Sequence, residues 1–394
     1  MKNLHSREGT TEAQSHYTDR DLGLVMGGGG ARAAYQVGFL RHVAQHSPDL
    51  HIPYIHGISA GAINAAVLAS HHGTFAQAVD ELSILWRDLT VDEVFRVDTR
   101  SLLMNCLRWL GRLGSGGIRS DLLNVRSLVN TSPLDAYLSE ALHAVDRELT
   151  GVQYNLDHRG LKAFAVTTTS YSTGSSVTWL QGREIETWER PQRATRRTNI
   201  TVDHIMASAA LPLLFPAIQL DGDWYGDGGI RLTAPLSPVL HLGARRIIAI
   251  SNRYDRSKQE VNNTSIRGYP PPAQVAGILL NAVFLDLLDH DALRLERLNR
   301  LVEALPESQR HGIDPVKLLV LRPSVDLGKL ASQFEVKLPR SIRFLTRGLG
   351  TRETDSPDML SLILFQADYV STLMEIGEAD AASRHEEIME FLEG

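Results

Sequence analysis

Through its first third the chain repeats one pattern: a short apolar run that stops at glycine, then apolar residues at helical spacing. Residues 21–26 form the first run and end on four consecutive glycines, after which 31–45 takes the helical period. Residues 51–58 form the second run, followed at 60–70 by a stretch rich in alanine, whose small side chains let a helix pack close to a sheet. Continuous apolar runs of this length bounded by turn residues predict buried strands, and a period of 3.6 predicts helices. Strand, glycine turn, helix, strand, turn, helix is the alternation that builds a parallel sheet with helices on its faces.

The pattern predicts a further helix over 74–89. The stretch 100–150 sets Leu102, Leu103, Leu107, Trp109 and Leu110 beside Gly111, Gly114, Gly116 and Gly117. It fits either a flexible helical cover or ordinary loops and helices with their own packing. Strands are predicted at 161–169 and 175–180, then a basic stretch at 190–197 and a helix at 202–210 that ends in Leu211-Pro212. Asp221-Gly222 is a hairpin signal between strands at 217–220 and 223–225, and Gly226-Asp227-Gly228-Gly229 follows directly. Residues 246–251 read as a buried strand. Residues 252–272, with three consecutive prolines, read as a linker or surface loop. Helices at 273–304 and 357–392 bracket a strand at 317–321.

Composition narrows the function classes. A net charge of −6 argues against a nucleic-acid binder that works by neutralising phosphates. The single cysteine, Cys106, leaves no intramolecular disulfide and no cysteine zinc site, and suits a reducing, cytoplasmic setting. Residues 1–19 are polar, carry Glu8, Glu12 and Asp19, and read as a loose tail, not a signal peptide. The longest apolar run, 275–288, is broken by Asn281 and Asp286 and is too short to span a bilayer.

Two turns carry the chemistry. Gly57-Ile58-Ser59-Ala60-Gly61 is Gly-x-Ser-x-Gly between a strand and a helix, the layout of a nucleophile elbow. Met26-Gly27-Gly28-Gly29-Gly30-Ala31-Arg32 is a glycine loop at a helix start, where backbone N–H groups can hold an anion. The same loop also satisfies a relaxed dinucleotide fingerprint, Gly28-x-Gly30-x-x-Ala33, with Asp49 about twenty residues on. That acid, however, belongs at the carboxyl end of the second strand, which here carries Ser59. A catalytic serine needs a base. None of His158, His204, His241, His290 or His311 has a flanking signature, and His56 alternates away from Ser59 along its strand. Asp227 is the other choice, because a carboxylate in a partly dry pocket can take the serine proton. A calcium loop through Asp221, Asp223 and Asp227 fails at the positions occupied by Tyr225 and Leu232.

Taken together, Gly28-Gly29-Gly30-Ala31-Arg32, Gly57-Ile58-Ser59-Ala60-Gly61, Asp227-Gly228-Gly229, and Ala207-Ser208-Ala209-Ala210-Leu211-Pro212 with Phe215-Pro216 resemble the patatin-like phospholipase family, bacterial type. The resemblance covers about residues 21–251, and Ala33 departs from it where many members have glycine. It implies an α/β fold, a three-layer αβα sandwich with a mainly parallel central sheet, to which C-terminal helices are added. It further implies that Ser59 is the nucleophile, Asp227 the base, and Gly28, Gly29 and Gly30 the oxyanion hole, with Arg32 supporting that loop. Gly57 and Gly61 complete the elbow and Gly228 and Gly229 the acid motif, with no metal and no cofactor. The implied activity is a lipid acyl hydrolase of phospholipase A or lysophospholipase type acting on phospholipid or other glycerolipid. A transacylase using the same acyl-enzyme and a dinucleotide-binding protein are the alternatives.

The resulting organisation is a tail at 1–19, a catalytic domain at 20–252, and a mostly helical extension at 253–394 packed on it. Peripheral membrane contact has one sequence candidate, 338–347. There Arg340, Arg343 and Arg347 alternate with apolar residues, and Ile342, Leu345 and Leu349 would share one side of a helix. The other reading of this segment is a helix packed on its own domain.

Overall fold

The computed structural model describes residues 21–96, 127–183, 185–257, 260, 272–334 and 358–394. The tail at 1–19, the glycine-rich part of 100–150, most of the proline-rich linker and the basic apolar segment at 338–347 lie outside the described residues.

Among the described residues ten strands make one sheet: β1 (Leu22–Met26), β2 (Tyr54–Ile58), β3 (Ala163–Ser170), β4 (Ser176–Gly182), β5 (Glu189–Arg190), β6 (Arg193–Arg197), β7 (Ile218–Leu220), β8 (Asp223–Asp227), β9 (Arg246–Ile250) and β10 (Lys317–Leu321). Their order is β10-β9-β1-β2-β3-β4-β6-β5, and β8 pairs with both β3 and β7. The five strands from β10 to β3 run parallel, whereas β4 and β8 both pair antiparallel with β3. Leu22, Leu24 and Met26 of β1 face one apolar cluster while Val25 faces another, so helices cover both sides of the sheet. This is the expected three-layer αβα arrangement.

One side of the sheet carries α1 (Ala34–His46), α2 (Ala60–Ser70) and α3 (Phe75–Asp88). A threonine capping box at Thr74 and Gln77 starts α3. Helices α4 (Ser132–Ala141) and α5 (Thr150–His158) pack further out on that side. The helix expected at 202–210 is α6 (Val202–Ser208). Toward the C-terminus come α7 (Pro272–Phe284), α8 (Asp286–Glu303), α9 (Asp358–Ile363), α10 (Ala367–Ser383) and α11 (His385–Glu393).

The two long C-terminal helices predicted from periodicity are thus divided. The first breaks at Leu285, and the second becomes three pieces separated by short turns. The basic stretch at 190–197 holds a short hairpin, β5 and β6, at the sheet edge. Its side chains are largely exposed, so no apolar alternation marked it as strand. The C-terminal helices are fastened to the sheet as well as to each other. Arg246 on β9 donates to the carbonyls of Phe391 and Leu392 at the end of α11, a cation placed where a helix dipole favours one. Arg384 donates to the Val320 carbonyl of β10. Among the described residues no helix is long and apolar enough to cross a membrane.

Topology fixes where a ligand can sit. The chain runs outward from β1 through β2 to β3, then returns to the other side of β1 as β9 and β10. The strand order therefore reverses between β1 and β9, and the crevice at the carboxyl ends of strands beside such a reversal is the usual binding position of open α/β sheets. The glycine loop leaves β1 there, Ser59 leaves β2 there, and Asn252 follows β9 there.

Candidate active site

Ser59 sits at the junction of β2 and α2 with φ 55° and ψ −132°. A positive φ is costly for a residue with a side chain and persists only where the surroundings enforce it. The enforcement comes from both sides. The Ser59 carbonyl accepts from Ala62 to open α2, and the Ser59 N–H donates to Ser208 Oγ at 2.9 Å. Ser208 in turn donates to the Thr167 carbonyl at 2.7 Å. The turn thrusts Oγ off the end of the sheet, flanked by Gly57 and Gly61, where a larger residue would strike α2 or β1.

Asp227 arrives from the opposite direction. It is the last residue of β8, which runs two residues past the strand expected at 223–225 and so takes in Asp227, and its antiparallel pairing with Thr168 brings it alongside β2. Thr169 Oγ1 donates to its carbonyl, and its N–H donates to Ala210. Ser59 Oγ donates to Asp227 Oδ2 at 2.6 Å, and Gly229 N–H donates to Oδ1 at 2.8 Å, with Gly228 forming the turn between. Asp227 is fully buried and Ser59 is 2 % exposed. Burial pushes the Asp227 carboxyl from 3.8 up to about 7, against the hydrogen bonds from Ser59 and Gly229, which favour its ionised form. A carboxylate so placed is a base matched to neutral pH.

Histidine has no part in this contact. Among the described residues none is hydrogen-bonded to Ser59 or Asp227. His56 is buried beneath the sheet end, where its ring bonds Thr167 Oγ1 and the Pro235 carbonyl. Burial lowers its pKa to about 3, so it stays neutral. Asp49 precedes β2 and lies at the opposite end of that strand from Ser59 and the glycine loop.

The glycine loop lies against the serine. A Cβ on Gly28 would come within 2.8 Å of Ser59 Cβ, so only glycine lets the backbone approach this closely. The carbonyl of Gly27 accepts from Gln36 Nε2 at 2.8 Å, and that of Gly28 accepts from Asn252 Nδ2 at 2.8 Å. In a trans peptide the N–H points opposite to the carbonyl. Locking these two carbonyls into the protein therefore turns the N–H groups of Gly28 and Gly29 the other way. Among the described residues neither N–H donates to a protein group. Two oriented and uncommitted donors beside a serine hydroxyl make a place where an oxyanion can sit.

The family model of patatin-like phospholipases matches residues 24–240, more than half of the chain, and spans Ser59, Asp227 and the glycine loop, while Asn252 lies beyond it. The chain belongs to the patatin-like phospholipase family. No curated protein matches it significantly. Among solved structures it is similar to VipD from Legionella pneumophila, at 14% identity over 90% of this chain and 67% of that one, with a TM-score of 0.35. It is also similar to human GIVD cytosolic phospholipase A2, at 11% identity over 95% of this chain and 62% of that one, with a TM-score of 0.45. The same human protein in complex with methyl gamma-linolenyl fluorophosphonate matches at 14% identity over 95% and 59%, with a TM-score of 0.44. The chain spans about three fifths of the length of the human structures.

Within this patatin-like site the structure adds three residues that the sequence left without a role. Ser208 ties the backbone of the elbow to β3. It lies in the small-residue run before Leu211-Pro212, and that run was its only signal. Asn252 holds the Gly28 carbonyl while its own Oδ1 is buried with no partner among the described residues. It looked like the first residue of a linker. Asp358 meets Arg32, whose guanidinium is buried and bonds Asp358 at 2.6 Å and Ser361 Oγ at 2.6 Å. The Leu362 carbonyl on the same helix, α9, fills the space where Gly30 would carry a Cβ, and Gly30 itself has φ 56°. Arg32 thus reaches α9, and α9 backs the glycine loop.

Proposed function

We propose that the protein hydrolyses fatty-acyl esters of glycerolipids, as a phospholipase A or lysophospholipase, through an acyl-enzyme on Ser59. The observation that carries this reading is the 2.6 Å hydrogen bond between Ser59 Oγ and a buried Asp227 that, among the described residues, has no cation beside it. Family membership supplies the lipid substrate class. In the first half-reaction Asp227 Oδ2 takes the Ser59 proton as Oγ bonds to the acyl carbonyl carbon. The oxyanion so formed takes hydrogen bonds from Gly28 and Gly29, aided by Gly30 at the start of the following helical turn and by the N-terminus of α2. The bond to the leaving alcohol then breaks, and Asp227 protonates that oxygen. In the second half-reaction Asp227 deprotonates water, the water oxygen bonds to the acyl carbon, and the free fatty acid leaves as the proton returns to Ser59 Oγ.

Such a mechanism needs a dry site and a route to it. Phe284, at the end of α7, packs on Gly229 beside Asp227. On the outer side of α7, Val275, Ile278 and Leu279 are exposed and share one face by their spacing. We assign that face to contact with the lipid surface, with α7 shifting to admit the acyl chain. The test is incubation with a phospholipid and lysophospholipid panel, with products followed by mass spectrometry. Free fatty acid and a transient acyl adduct on Ser59 are expected. Acyl transfer to an alcohol acceptor without fatty-acid release would replace the hydrolase with a transacylase, and turnover without any Ser59 adduct would overturn the mechanism.

A further inference from the structure

Away from Ser59, the C-terminal end of α1 meets the start of α11, and three imidazoles face one another there. His42 and His46 are one helical turn apart on α1, so their rings project from the same side. His385 opens α11. His42 Nε2 lies 3.1 Å from His385 Nδ1, and the ring centroids of His46 and His385 are 4.5 Å apart. One nitrogen from each ring lies within 4.8 Å of the other two, and among the described residues this is the group of three that could hold a metal ion.

We propose that His42, His46 and His385 form a binding site for a divalent transition-metal ion, zinc by preference, which clasps α11 to α1. Three imidazole nitrogens are a donor set for zinc, copper or nickel, not for magnesium or calcium. Zinc–nitrogen bonds of about 2.0–2.1 Å in a tetrahedron put the donors about 3.4 Å apart. The His42–His385 pair already stands near that separation. His46 Nδ1 is bonded to the His42 carbonyl at 2.8 Å, so it acts as the donor and leaves Nε2 with its lone pair free. A ring fixed through its second nitrogen to a backbone carbonyl is how metal-binding histidines are commonly oriented. The fourth position is left to water.

The clasp would act on the architecture, not on the ester. His42 lies about 12 Å along the axis from the start of α1, and α1 begins directly after the glycine loop. Fixing α11 also secures the helices before it in sequence, of which α9 carries Asp358 and Leu362 against that loop. The proposal rests on the three rings alone and stands whether or not Ser59 is the nucleophile.

The test uses the full chain without a histidine tag, stripped with a chelator and titrated with zinc chloride by calorimetry. One equivalent should bind with a Kd below about 1 μM and raise the melting temperature, because the metal favours the folded state. Cobalt in place of zinc should give visible absorption bands, and X-ray absorption of the zinc-loaded protein should report three imidazole ligands. His46→Ala and His385→Ala, at the more exposed positions, should each weaken binding at least about a hundredfold and abolish the melting shift. No stoichiometric binding by the unmodified chain would overturn the proposal. So would a zinc shell with two imidazoles or fewer, or variants that bind as tightly as the parent.

Discussion

Two buried aspartates flank the glycine loop and differ in one respect, the presence of a cation. Asp358 lies against the Arg32 guanidinium and Asp227 against a serine hydroxyl and a backbone N–H. A carboxylate paired with arginine in the interior has its charge balanced, and the pair acts as a strut. A carboxylate buried without a cation is raised toward neutrality and can exchange its proton near pH 7. Asp289 follows the first pattern, with Arg253 at 3.1 Å and Arg322 at 2.8 Å. Burial alone therefore does not mark a chemical group in this molecule. In the proposed mechanism, burial without a cation is what fits Asp227 to act as the base.

The comparison breaks most visibly at the uncompensated end. Ser59→Ala and Asp227→Asn should each cut ester turnover by about 10³-fold or more, and the double variant should be little worse, since the two act as a unit. The same Asp227→Asn change should stabilise the fold. With a folded pKa of about 7 against an ordinary 3.8, the native carboxyl keeps its proton where the unfolded chain has lost it. Stability from this group is thus fully present below about pH 4 and lost as pH rises through 7. Thermal melts at pH 8 should place Asp227→Asn above the parent, with the gap closing toward pH 4. A variant that loses both activity and stability at pH 8 would make Asp227 a strut like Asp358.

The loop between the two aspartates comes next. Gly28→Ala puts a methyl against Ser59 Cβ and displaces a donor, so kcat should fall on the order of 10²–10³-fold with little change in KM. At the compensated end, Asp358→Asn leaves Arg32 buried without its counter-charge. Losing one partner of a buried pair costs about 3–5 kcal/mol, readable in urea unfolding. Activity should fall less than with Gly28→Ala, because the loop is disturbed only through α9. The smallest effect belongs to the outer face of α7. Ile278→Ser with Leu279→Ser should lower turnover of vesicle lipid severalfold and leave a soluble short-chain ester unaffected.

How much of this was legible in the sequence follows from how far apart the cooperating residues lie. The strand, turn and helix units around the glycine loop and Ser59 were local, and their patterns marked both turns and the sheet class. Asp227 could be named because its glycine neighbours advertise a turn, although β8 runs up to the aspartate itself. Ser208, Asn252 and Asp358 could be given no role, since no neighbouring turn points from any of them to the partner 149, 224 or 326 positions away. No periodicity encodes such a meeting. The hairpin of β5 and β6 escaped because an exposed edge needs no apolar face. The break at Leu285 escaped because the helical spacing runs through it while α7 and α8 cover different parts of the molecule.

The most direct measurement is the pH dependence of covalent labelling of Ser59 by a fluorophosphonate, in the parent chain and in Asp227→Asn. It reports proton removal from the nucleophile without lipid binding or product release. The expected parent rate climbs about tenfold per pH unit at low pH and levels off near 7, when Asp227 is ionised. Asp227→Asn should label far more slowly, with that inflection gone. An inflection near 7 that survives in Asp227→Asn would assign the base to another group and contradict the account.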